Sequence, residues 1–167
     1  MLAFLCVCVF PGAMALAGSM DLITMTIPNR ISLFLVAGFL ALAPFVGLTP
    51  GQYLAHLVSG GAMLAIGILM FSQGWIGGGD AKIFAAAALW FGFDHLGDFT
   101  LLSAMAGGVL TVALLLFRTL PLPSLARTQD WLVHLHHPRT GVPYGIAMAA
   151  AALMVYPSTP WFLSAVG

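Results

Sequence analysis

The chain has 167 residues, of which 61% are hydrophobic and only 6% charged, with a formal net charge of zero and no glutamate. A soluble domain carries about 25% charged residues to keep its surface wet, so this composition excludes an ordinary water-soluble fold and calls for lipid as the surrounding solvent. Neutrality removes the electrostatic case for nucleic acid as a partner, and the length suits one compact bundle with no second domain.

Six apolar segments follow one another, at about Leu2–Met20, Ile31–Leu48, Leu57–Ser72, Ile83–Phe93, Phe99–Phe117 and Val142–Val155. A membrane-spanning helix needs about 20 residues, so the fourth and sixth must borrow length from their flanks. The long runs do not alternate as barrel strands do, and lipid-exposed spans must be helices or closed barrels. The expected fold is all-α, a polytopic membrane bundle of about six transmembrane helices.

The first segment holds both cysteines, Cys6 and Cys8, in a C-x-C spacing that lacks the second pair a zinc site needs. They read as small apolar fillers. The segment has no basic n-region and runs directly into Asp21, which favours a retained helix over a cleaved signal peptide. Between the first and second segments stands Arg30, and between the third and fourth stands Lys82. Arg118, Arg127 and Arg139 lie between the fifth and sixth. The breaks around Thr49–His56 and Asp94–Asp98 carry no Lys or Arg. Every basic residue therefore falls on one side, which the positive-inside rule assigns to the cytoplasm, with both termini outward.

The acids divide in two. Asp94, Asp98 and Asp130 sit in breaks and read as solvated loop or interface charges. Asp21 ends the first apolar run and Asp80 opens the fourth, so the topology sets both at the cytoplasmic ends of their helices. An ionisable group within a span is a functional candidate, because holding it there costs about 3 kcal/mol or more. Before Asp80 come Gly77, Gly78 and Gly79, which allow another backbone to approach and let the chain unwind without steric cost. Lys82, two residues on, does not share the Asp80 face of a helix and reads as an interfacial anchor.

Other features have plainer readings. His134, His136 and His137 form "HLHH" without the i, i+4 pairing of a helical zinc site, and the segment reads as interfacial beside Trp131. Gly60–Gly61 and Gly107–Gly108 read as close packing points between helices.

The motif "GGGDAK" over Gly77–Lys82 resembles the G-x-G-D-x-K signature of bacterial prepilin peptidases. Asp21, followed by Ile27, Pro28 and Asn29 as "IPN", is similar to the first aspartate motif of that family. "VPYGIAMA" over Val142–Ala149, with Pro143, Tyr144 and Gly145, resembles the motif opening its last helix. Presenilin-like proteases share G-x-G-D but carry a Tyr-Asp motif that is absent here. In size the chain most resembles the small peptidases of tight-adherence (Flp-type) pilus systems.

The resemblance implies a single transmembrane peptidase domain over residues 1–167, with Asp21 and Asp80 catalytic. Gly77, Gly79, Lys82, Pro28, Asn29, Pro143, Tyr144 and Gly145 support the motifs. The implied partners are a prepilin substrate and the bilayer, in the bacterial inner membrane. Larger members add a cytoplasmic loop with paired C-x-x-C motifs tied to N-methylation. This sequence has no such loop and no such cysteines, so cleavage is implied and methylation by the same chain is not. Two close carboxylates share one proton, one activating water and the other polarising the scissile carbonyl, and no metal or cofactor is required. Tyr144 is expected to pack the site closed. The competing expectation is a non-catalytic membrane subunit in which the two aspartates make a polar contact between helices.

Overall fold

In the computed structural model, residues 2–123 and 128–166 are described, and among them every regular element is a helix. α1 is Leu2–Thr24, α2 Asn29–Leu42, α3 Pro50–Ser72 and α4 Gly78–Thr119. α5 is Asp130–His136, α6 Tyr144–Val155 and α7 Pro160–Val166, with short 3-10 turns at Ala43–Phe45 and Tyr156–Ser158. Three helices, over Ala3–Thr24, Pro50–Ser72 and Gly78–Thr119, are long and apolar enough to cross a membrane. Asn29–Phe45 and Tyr144–Ser158 are shorter apolar helices.

The fourth and fifth expected spans are joined in α4, and the junction differs from the one the polar residues suggest. Residues 93–98 are helical, and the backbone leaves helical geometry at Gly92, with φ 59° and ψ −172°. That region is open essentially to glycine alone. In one straight helix Phe84 and Phe99 would stand about 22 Å apart, yet their ring centroids are separated by 5.0 Å. The helix therefore folds back on itself at Gly92, and its two arms, 78–91 and 93–119, serve as separate limbs of the bundle.

A break inside an apolar bundle leaves carbonyls without their helical donors, and no water is there to replace them. The turn before Gly92 is supplied by side chains. Ser59 donates to the Ala88 carbonyl at 3.1 Å, and Trp161 Nε1 donates to that of Trp90 at 2.8 Å. His56 Nδ1 lies 2.8 Å from the Leu89 oxygen, which can only accept, so the ring carries its proton on Nδ1. Trp90 Nε1 in turn donates to the Leu35 carbonyl on α2. Around these bonds packs the aromatic core. Phe10 stacks on Tyr156 with centroids 4.8 Å apart, and Trp90 and Trp161 lie at 4.6 Å. Tyr156 also donates its hydroxyl to the Cys6 carbonyl.

Basic side chains bind at the opposite end of the bundle. Lys82 Nζ donates to Asn29 Oδ1 at 3.0 Å, and Arg118 binds the carbonyls of Leu135 and Gly141 at 3.0 and 2.9 Å. This ties α5 and the approach to α6 against the end of α4. Arg127 lies outside the described residues. Outward-facing Phe4, Leu33, Val109 and Met154 are exposed apolar side chains, as a lipid-facing surface requires.

Glycines set the closest helix approaches. A Cβ on Gly60 would come 3.0 Å from Leu89 Cβ, and one on Gly67 would come 3.0 Å from Ala81 Cβ. The two are seven residues apart on α3, so they share a face, and α4 lies against it. Gly107 meets the Tyr144 ring in the same way. Gly61 and Gly108 have open space beside them and pack nothing.

Candidate active site

Asp21 lies in the last turn of α1 and is buried, 6% exposed. Its Oδ2 accepts a 2.7 Å hydrogen bond from the backbone amide of Gly145, in the first turn of α6. The first amides of a helix lack intrahelical acceptors, and the helix dipole there favours negative charge, so Asp21 supplies what the start of α6 needs. Only glycine fits beside it. A Cβ on Gly145 would come 2.8 Å from Asp21 Oδ2 and 2.9 Å from Ile27 Cδ1.

Asp80 stands at the start of another helix. α4 begins at Gly78 with Gly77 as its N-cap, and Asp80 is in its first turn, its carboxylate lying back against Gly77. The helix dipole favours negative charge at that end. Gly77, Gly78 and Gly79 do not unwind the chain as the sequence suggests, since none has a positive φ and the helix already runs through Gly78. Their service is close approach. A Cβ on Gly77 would stand 2.9 Å from Asp80 Oδ2, one on Gly78 would stand 3.3 Å from the Phe71 ring, and one on Gly79 would stand 3.2 Å from Ile27 Cβ.

Ile27 thus touches the glycine beside each aspartate, Gly79 on one side and Gly145 on the other. The two aspartates are thereby brought about Ile27, Asp21 beside Gly145 and Asp80 next in sequence to Gly79. Pro28 caps α2, and Asn29 opens it and holds Lys82. Pro143, fully buried, caps α6. The "IPN", "GGGD" and "PYG" stretches therefore meet at one end of the bundle. Lys82 itself is exposed and donates to Asn29.

Asp80 opens onto a cavity of about 330 Å³, bordered also by Met70, Phe84, Ser103, Tyr144 and Met148. Tyr144 does not fold over the aspartates. It is 44% exposed, its ring lies on Gly107, and its hydroxyl is 3.2 Å from Thr111 Oγ1 on the returning arm of α4. It forms a wall of the cavity and leaves it open. Ser103 was not among the residues singled out by sequence. It is one of three hydroxyl residues, with Thr100 and Thr111, in the apolar run Phe99–Phe117, and nothing in the sequence sets it apart from them.

The remaining polar candidates stand elsewhere. Asp94, Asp98 and Asp130 are exposed, but all three are helical and not in a loop, Asp130 opening α5. His136 Nε2 lies 2.9 Å from the Leu120 carbonyl and its ring packs edge-on against Phe117. Cys6 is buried and Cys8 exposed, both free.

The family model described as the type IV leader peptidase family matches residues 8–112, a stretch that includes both aspartates. Two curated proteins from Aeromonas salmonicida, one of them from strain A449, are each named prepilin leader peptidase/N-methyltransferase. Each is 29% identical to this chain over 156 residues, covering 87% of it and 48% of their own length. The chain thus spans about half the length of the curated relatives it matches. No solved structure gives a significant match. With more than half of its residues matched by that model, the chain belongs to the type IV leader peptidase family.

Proposed function

We propose that this protein is a membrane aspartic endopeptidase that removes the leader peptide of type IV-like prepilins, of the Flp type, at the cytoplasmic face of the bacterial inner membrane. Asp21 and Asp80 are its catalytic pair. The observation that carries this reading is the placement of the two aspartates about Ile27, Asp21 held by the Gly145 amide and Asp80 lying against Gly77 at the start of α4. A polar contact serving only to join helices has no need of an open cavity beside one partner, and Asp80 has one. The single-sided placement of Arg30, Lys82, Arg118 and Arg139 supports the cytoplasmic assignment, with both termini outward.

In the proposed reaction the two carboxyls hold one proton between them. The ionised carboxylate takes a proton from water as the water oxygen attacks the scissile carbonyl carbon, while the protonated carboxyl donates to the carbonyl oxygen. Collapse of the tetrahedral intermediate breaks the C–N bond, and a proton passes to the leaving amine. The pair returns to its starting protonation after each turnover. No metal enters these steps.

Co-expression with a candidate prepilin, following its size on gels, tests the reading. Asp21→Asn and Asp80→Asn should each lower cleavage by at least about 10,000-fold, and the double variant should be no worse, because residues acting as one unit are strongly non-additive. Substantial processing by either membrane-inserted single variant would refute the two-aspartate mechanism. A purely structural pair would tolerate asparagine, which keeps the hydrogen-bonding oxygen.

A further inference from the structure

Ser103 lies on the returning arm of α4 and is 8% exposed. Among the described residues its hydroxyl is the one buried side-chain polar atom with no hydrogen-bond partner. A serine or threonine in a helix ordinarily turns its hydroxyl back to the carbonyl four residues earlier. The neighbours on this arm do so, Thr100 to Leu96 at 2.7 Å and Thr111 to Gly107 at 2.7 Å. Ser103 has the same option and does not take it. An orphaned buried hydroxyl costs about 1–3 kcal/mol, so its persistence calls for a compensating use.

Ser103 borders the cavity that Asp80 opens onto. Of the other walls, Met63, Met70, Phe84 and Met148 are apolar, while the hydroxyls of Thr100 and Tyr144 are already engaged within the protein, with the Leu96 carbonyl and with Thr111. A polypeptide brought beside Asp80 carries an amide and a carbonyl at every residue, and out of water each needs a partner. We propose that Ser103 is a substrate-binding residue, its hydroxyl pairing with a backbone group of the peptide segment held beside Asp80. This rests on the peptidase reading above. The methionines around it supply flexible, polarisable walls that adapt to differing apolar side chains. Recognition at this point then reads the substrate's backbone in preference to its sequence.

The assignment makes stability and activity move apart in Ser103→Ala. A hydroxyl without a partner in the free protein contributes nothing to its fold, so the variant should melt at the wild-type temperature or above it. The value of kcat/KM for prepilin cleavage should fall roughly three- to tenfold, the worth of one hydrogen bond. The same factor should appear without chemistry, as weaker binding of a fluorescent prepilin peptide to Asp21→Asn/Ser103→Ala than to Asp21→Asn. Wild-type cleavage and binding in the serine variant would overturn the assignment. So would a fall in melting temperature accompanying the loss of activity, since that would make the hydroxyl structural. The aspartate variants fail separately. If Asp21→Asn and Asp80→Asn still cleave, the two-aspartate mechanism falls, while the binding comparison still decides whether Ser103 holds the peptide.

Discussion

Gly145 donates its backbone amide to Asp21 Oδ2 across 124 residues of sequence, at 2.7 Å. The bond fixes the position of a proposed catalytic carboxylate from a helix other than its own, and the missing side chain is what allows the approach. In Gly145→Ala the new Cβ meets Asp21 Oδ2 at 2.8 Å and Asp21 Cβ at 2.9 Å, so α1 and α6 must separate or the carboxylate must turn. Overpacking of this kind costs about 1–3 kcal/mol. Displacing a reacting group by even about 1 Å lowers rate near a hundredfold. We expect membrane-inserted protein with prepilin cleavage down by about that factor, as measured by the processed fraction over time. Wild-type processing by Gly145→Ala would mean that the contact does not position Asp21.

Gly92 carries a second, independent prediction. Its φ of 59° with ψ of −172° excludes side chains, at about 1–3 kcal/mol for any other residue. A Cβ there would also stand 2.9 Å from the His56 ring, which holds the Leu89 carbonyl. Gly92→Ala should therefore lower the melting temperature in detergent and reduce the amount recovered from the membrane. Gly61→Ala, at an open position on α3, should be near neutral in the same assay. Equal recovery of both would remove the strain argument.

The exposed acids supply a contrast. Asp94, Asp98 and Asp130 lie on the surface. Exposed substitutions away from special contacts change free energies by about 0.5 kcal/mol or less. Each replaced by asparagine should leave cleavage within about twofold of wild type. Loss of activity at Asp94 with the protein intact would move the catalytic assignment away from Asp21 or Asp80.

The two aspartates are legible in the sequence because charge is so scarce that each acid stands out against its apolar run. Counting spans and basic residues leads to the expectation that they share a depth. The means by which they are held is not legible in the same way. Gly77–Gly79 suggest a loosened turn, because glycine is equally suited to unwinding and to close approach, and only the position of Ile27 decides between them. Tyr144 reads as a lid from its place beside Gly145, yet its ring rests on Gly107, a contact 37 residues earlier that no local pattern announces. The polar residues Asp94–Asp98 mark where the chain nears an interface, but the bend lies just before them at Gly92, where backbone dihedrals and not polarity decide. The partners of that bend, Ser59, His56 and Trp161, come from distant elements, so composition alone shows three polar groups and no reason for them.

The bond from Trp161 to the Trp90 carbonyl has a bearing on how the bundle is made. The two residues are separated by 71 positions, so when the first arm of α4 leaves the ribosome its donor has not yet been synthesised. His56 and Ser59 already exist by then and can engage Leu89 and Ala88 at once. The bend is thus furnished mostly by earlier chain and completed by later chain. Its last carbonyl waits for α7, which closes the assembly in the manner of a keystone, and the site at the opposite end gains Gly145 on the way there.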